Sequence, residues 1–184
     1  NSSCQVYFGI RRDEQIDDIG DLLFTSTSEE FSSEEMRRMD TKSRTFSLYY
    51  PRTRPEAPPD YTIVASMNAN YDDWAGLDKA AYRAAKEAMI ERCLVDLERY
   101  IPGVRGKIDT IESATPKTFH RYTLHTKGTS FGTKFEGLDI SRSLHKEIAG
   151  LFHVGSVGII MSGWLGAINY GVIVANDVDG YLRG

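Results

Sequence analysis

The side chains best equipped for chemistry are His120, His125, His145 and His153, the thiols Cys4 and Cys93, and whatever the glycine-studded run from Gly150 to Gly171 presents. The histidines form no HExxH pair, and HKEIAGLFH (residues 145–153) only superficially resembles a zinc-ligand spacing. They read as structural histidines, and no metal site is expected. The two cysteines lie far apart without metal or redox spacing, which points to reduced structural thiols. No Gly-x-Ser-x-Gly elbow or catalytic cysteine context occurs, so no catalytic residue is assigned.

The glycine run, GLFHVGSVGIIMSGWLGAINYG, has no Lys, Arg, Asp or Glu anywhere between Glu147 and Asp177. Its length would reach across a bilayer, but each glycine weakens a helix by about 1 kcal/mol relative to alanine, and Ser156, Ser162 and Asn169 add polar groups. Strand, loop and helix fit better: GLFHV as a short buried strand, GSVGIIMS as a turn, and a helix from Gly163 to about Asp179. On that helix Trp164, Ala167, Ile168, Gly171, Val172 and Ala175 recur at helical spacing. A helix start after such a loop offers unpaired N–H groups to an anionic or electron-rich ligand. It is not a nucleotide-triphosphate loop, because Trp164-Leu165 follow Gly163 where Lys and Ser/Thr are needed, and the chain has no GxGxxG. Tight packing accounts equally well for the glycines.

The elements that would position these residues are legible upstream. Cys4–Ile10, TFSLYYP, YTIVASMNAN and GKIDTIESAT read as strands, the last ended by Pro116. Residues 11–21 turn polar and acidic, Ser32 and Glu35 suggest a capping box on a short helix, and RTRPEAPPDY is a loop. The strongest periodicity runs from Leu77 to Tyr100, with Tyr82, Ala85, Met89 and Cys93 on one line and Ile90, Leu94, Leu97 and Ile101 beside it. Asp72 and Asp73 favour its N-terminal end, and Pro102-Gly103 stops it. The class is therefore α+β, an antiparallel sheet covered by a long helix.

With 184 residues, 41% apolar and 26% charged, the chain is globular in composition, and its net charge of −4 gives no basis for a nucleic-acid partner. The strand-like alternation begins almost at residue 3 without a leader, the pattern of a piece of a longer protein.

Taken together, ATPKTFHRYTLHTKGTSFGT, GLFHVG and SGWLGAINYG resemble the C-terminal part of flavin-dependent oxidoreductases of the phytoene dehydrogenase, carotenoid isomerase and retinol saturase group. The resemblance runs over most of residues 60–184 and includes YDDW, Tyr82, Lys86 and YIPG upstream. It implies that residues 1–124 are a substrate-binding region and residues 125–184 a segment that would complete a Rossmann-like FAD domain. It further implies FAD contacts from Gly155, Ser156, Gly163, Trp164, Leu165 and Gly166, a cavity lined by Tyr122 and Phe131, and hydride transfer between flavin and C–C bonds of a hydrophobic, isoprenoid molecule. An amine oxidase-like flavoenzyme and a non-catalytic interaction module are the alternatives. One helix end supplies roughly 0.3–2 kcal/mol, whereas nanomolar binding needs about 12, so FAD is expected only with the missing N-terminal FAD domain present. An interdomain face including Phe152, Ile159, Ile160 and Trp164 would then favour self-association in isolation. The reduced thiols point to a reducing compartment, and the expected placement is cytoplasmic or peripheral to a membrane.

Overall fold

The computed structural model describes residues 2–29, 32–53, 60–130, 135–156 and 163–184. The chain divides into two compact units, Asn1–Thr129 and Ser130–Gly184.

The first unit is built on β1 (Ser2–Ile10), β2 (Leu22–Ser26), β3 (Ser43–Tyr49), β4 (Thr62–Ala69) and β5 (Ile108–Ala114), all antiparallel neighbours in the order β2-β3-β4-β1-β5. Alternation along β1, β3 and β4 sends Val6, Phe8, Phe46, Leu48, Ile63 and Ala65 into one core, as a sheet covered on one side requires. Gly9 does not end β1: the register with β5 shifts between Gly9 and Ile10, a bulge inside the strand. β2 was not expected, because its five residues follow an acidic stretch and pair only with β3.

Helix α1 (Tyr71–Ala75) precedes α2 (Lys79–Tyr100), which lays Met89, Cys93, Leu94 and Leu97 against the sheet. Burying each such side chain stabilises the fold by roughly 1.5–3 kcal/mol. The cap of α2 is Asp78, whose carboxylate accepts from the amides of Ala80 at 2.9 Å and Ala81 at 2.8 Å. Asp72 and Asp73, expected to serve this helix, belong to the first turn of α1 instead. After Gly103, in the left-handed region, the chain returns as β5. Pro116 does more than stop that strand. It opens α3 (Pro116–Thr123), where its missing N–H costs nothing. The Thr115 amide donates to Thr118 Oγ1 at 3.1 Å, and Thr115 Oγ1 meets the Tyr82 hydroxyl at 2.8 Å. Ser32 accepts from the amides of Glu34 and Glu35, but only a 3-10 turn, Glu35–Arg37, follows. The Glu35 carboxylate is drawn away to Thr41, Ser43 and the Lys42 amide, and these bonds hold its pKa below the usual carboxylate range despite the opposing effect of burial.

The second unit contains α4 (Leu138–Glu147) and α5 (Gly163–Arg183). Tyr170 and Val174, one helical turn apart, are its buried centre, with Leu138, Phe152 and Val178 against them. GLFHV forms no strand: Leu151 and Val154 are exposed, Gly150 adopts φ +78°, and no strand is present among this unit's described residues to pair with it. The helix at Gly163 forms as expected, but the line it buries is Gly166, Tyr170 and Val174. Trp164, Ile168 and Val172, which recur at helical spacing, are exposed on α5, while Tyr170 and Val174 pack with Leu138, Phe152 and Val178.

Candidate binding face

The inner rows of the sheet make the core, and the outer rows carry the feature most open to a functional reading. Successive partners across the strands put Leu22, Ser47, Val64, Tyr7 and Glu112 in one row. Phe24, Thr45, Ser66, Gln5 and Ala114 form the next, and Tyr49, Thr62, Gly9 and Thr110 line another. On β1 to β4 every outward residue is uncharged. A sheet face meant for water usually alternates with Lys, Glu or Arg. Here the positions hold aromatic and aliphatic groups interleaved with small hydroxyls.

Leu22, Tyr7, Tyr49 and Phe24 are exposed, Phe24 at 74%, so the face is open to solvent. Its polar groups are organised. The Tyr7 hydroxyl donates to Gln5 Oε1, and the other end of that amide, Nε2, reaches Ser66 Oγ at 3.5 Å. Partial burial, and then the nearby Tyr49, push the Tyr7 phenol above its ordinary range, which keeps it a neutral hydrogen-bond donor at physiological pH. Such a surface can sort uncharged molecules by shape and a few hydrogen bonds. The rows carry no Lys or Arg that could meet a phosphate. The signal was present in the sequence as the outward half of each strand's alternation, but it becomes readable only once the register says which alternate residues adjoin.

The residues expected to hold a cofactor lie in the second unit. Gly155 and Ser156 are half-buried in an irregular segment after α4, with Gly155 at φ +133°. Gly163, at φ +70°, opens α5, where Trp164 is 89% and Leu165 74% exposed while Gly166 is buried. The 151–156 segment runs along α5, since a Cβ on Gly171 would touch Val154 Cγ1 at 3.9 Å. Tyr122, expected to line a cavity, is 77% exposed on α3 of the first unit with the Arg121 guanidinium 5.7 Å from its ring centre. Phe131 lies outside the described residues, as do Ile159 and Ile160 of the expected association face.

The histidines have structural partners. His120 Nδ1 meets the His125 carbonyl at 2.9 Å, His125 Nδ1 meets the Thr129 carbonyl at 3.1 Å, and His145 stacks on Phe152. His153 Nδ1 lies 2.5 Å from Ser141 Oγ, which also meets the Tyr170 hydroxyl at 2.6 Å. That Ser–His pair resembles a nucleophile with its base, but Ser141 and Tyr170 are buried, so it ties α4, α5 and the intervening segment together. A shallow polar depression of about 240 Å³ is lined by Ser2, Asn70, Tyr71, Asp72, Asp73 and Lys127, and the Lys127 ammonium is held by Asp72 at 2.6 Å. Among the described residues no group of three or more His, Cys, Asp or Glu could hold a metal, and no helix is long and apolar enough to cross a membrane.

No family model matches the chain. A UDP-N-acetylmuramyl-tripeptide synthetase of Roseiflexus sp. (strain RS-1) is 29% identical over 136 residues, covering 64% of this chain and 26% of that protein. The chain thus spans about a quarter of the length of the curated relative it matches. That relative is named as a ligase. The description as a carotenoid-type, phytoene dehydrogenase-like FAD flavoprotein and oxidoreductase is corrected accordingly. The resemblance rested on glycines and aromatics whose spacing also serves packing: Gly128 is required because a Cβ there would stand 2.2 Å from the Pro116 carbonyl oxygen, and Gly166 is buried in the second unit's own packing.

Proposed function

We propose that this chain is a non-catalytic binding module of a longer protein, and that the outer face of its sheet forms one wall of a cavity for an uncharged, mainly apolar small molecule. The single observation that carries this reading is the absence of charge from every outward position of β1 to β4, together with exposed Tyr7, Tyr49, Leu22 and Phe24 on that same surface. Leaving such a face in water forgoes the hydrophobic gain of covering it, about 25 cal/mol for each Å². Tyr7, Gln5 and Ser66 supply the few directional contacts that orient a ligand, and the reacting groups come from elsewhere in the longer protein. The coverage of the Roseiflexus protein, 26% of its length, supports a module within something larger. Its ligase name is not carried over to this face, because a UDP diphosphate would call for cations that these rows lack.

The test is hydroxyl-radical footprinting of this chain alone and within the longer protein, with organic extraction of the latter. Tyr7, Tyr49 and Phe24 are expected to label strongly in the chain alone and weakly in the longer protein, and extraction is expected to yield a stoichiometric uncharged molecule. Equal labelling in the two contexts overturns the reading. Protection without an extractable molecule replaces the ligand wall by a domain contact.

A further inference from the structure

A sheet built in the order β2-β3-β4-β1-β5 has two edges, and here they are unlike. β5 exposes Asp109 and Glu112, and its register against β1 slips between Gly9 and Ile10. Charge and a bulge are the usual means of turning a further strand away. β2 has neither. From Leu22 to Ser28 the sequence, LLFTSTS, carries no charge and no proline. Its register with β3 is unbroken, and Leu22, Phe24 and Ser26 are exposed.

The ladder fixes which backbone groups this edge presents. At the two ends of the β2–β3 pairing, the Leu48 amide donates to the Asp21 carbonyl at 2.9 Å and the Thr27 amide to the Lys42 carbonyl at 3.2 Å. Alternation between those bonds turns the N–H and C=O of Leu23 and Thr25 toward β3, and those of Leu22, Phe24 and Ser26 outward. Among the described residues no strand lies beyond them. Donors and acceptors therefore alternate along the edge as a template for one more antiparallel strand.

We propose that this edge pairs with the same edge of a second copy of the chain, about a two-fold axis at Phe24. Such an axis sets each residue opposite one equally far on the other side of the centre. Phe24 then faces the copy's Phe24, Leu22 faces the copy's Ser26, and Asp21 faces the copy's Thr27. Every outward backbone group of β2 is used, and no charge meets its like, the condition that a self-pairing edge must satisfy. The two Phe24 side chains adjoin on the outer face, with Cα atoms about 5.5 Å apart, and form an aromatic pair. Five residues a side bury less than about 1,200 Å² in all, the range of dimers that form and dissociate readily. The pairing joins edges and leaves the outer face open, so it does not depend on what covers that face.

The experiment is sedimentation equilibrium of the chain from micromolar to millimolar concentration, with amide hydrogen exchange read by NMR at both ends of the range. The mass is expected to rise from 20.7 kDa toward twice that value. The amides of Leu22, Phe24 and Ser26 are expected to exchange more slowly as it does, while those of β5 are unchanged. Ser26→Pro removes a donor that faces away from β3, so the β2–β3 ladder is kept, and the loss of its hydrogen bonds is expected to weaken the dimer about tenfold or more. Phe24→Lys alters no backbone group and sets two ammonium groups side by side at the axis, so it is expected to abolish the dimer with an unchanged circular dichroism spectrum. A chain that stays monomeric to millimolar concentration overturns the proposal. So does a dimer in which these three amides exchange as fast as in the monomer, or one that both variants leave intact. Slow exchange of the three amides in the longer protein, with no dimer of the chain, assigns the edge to a strand of that protein and overturns the second copy.

Discussion

Val64 stands at the middle of the uncharged face, with Ser47 on one side and Tyr7 on the other. The substitution Val64→Lys separates a water-facing sheet from a cavity wall. In this chain alone the long stem of the introduced side chain lies over Tyr7 while its ammonium stays in water, and the loss is bounded by the span of strand preferences, about 1 kcal/mol. Within the longer protein the same ammonium is enclosed. The nearest carboxylate in its row is Glu112, two strands away and therefore about 10 Å distant, too far to pair. An unpaired enclosed charge costs about 3 kcal/mol or more, roughly a hundredfold in ligand affinity. Urea unfolding of the chain, and of the longer protein with and without its ligand, reads both quantities, and Val64→Thr controls for lost apolar volume. Equal small losses in both contexts would refute the argument that this face is covered.

Other perturbations probe the frame that holds the face. Gly128→Ala places a Cβ 2.2 Å from the Pro116 carbonyl oxygen at a φ of +56°, and a loss of more than about 1 kcal/mol is expected in thermal unfolding. Asp96→Ala strands the buried Arg44 and is expected to lower stability by about 3 kcal/mol, whereas Lys127→Ala, at an exposed pair with Asp72, changes the urea midpoint little. Burial pushes Cys4 up to about 12 and Cys93 to about 11 from an ordinary 9.0. The folded state therefore keeps protons that the unfolded chain gives up. That contribution is intact below pH 9 and is lost as pH rises toward 11 to 12, so stability falls over this window, and Cys4→Ala with Cys93→Ala flattens the profile.

The helix α2 was legible because a long 3.6-residue period is encoded locally, and its apolar lines match the buried residues. β1, β3, β4 and β5 were legible from alternation and β-branched residues, but the order that sets β1 between β4 and β5 was not, since pairing partners such as Gln5 and Ala114 lie far apart in sequence. GLFHV misled because an apolar run predicts a strand only where an edge exists to receive it. On α5 the apolar residues lie all round, so Trp164 and Tyr170 competed for the same inference and only packing against Leu138 and Phe152 decided it. The uncharged face escaped notice for a related reason: each strand taken singly shows only a few serines, threonines and aromatics.

The place of β1 in the sheet also has a consequence for how the molecule comes into being. Its residues are made before either of their partners, residues 62–69 on one edge and 108–114 on the other, so the segment must wait, unpaired and apolar on one side, until most of the first unit has followed it. Such distant closures make assembly slow and leave an interval of vulnerability to chaperone capture or misassociation.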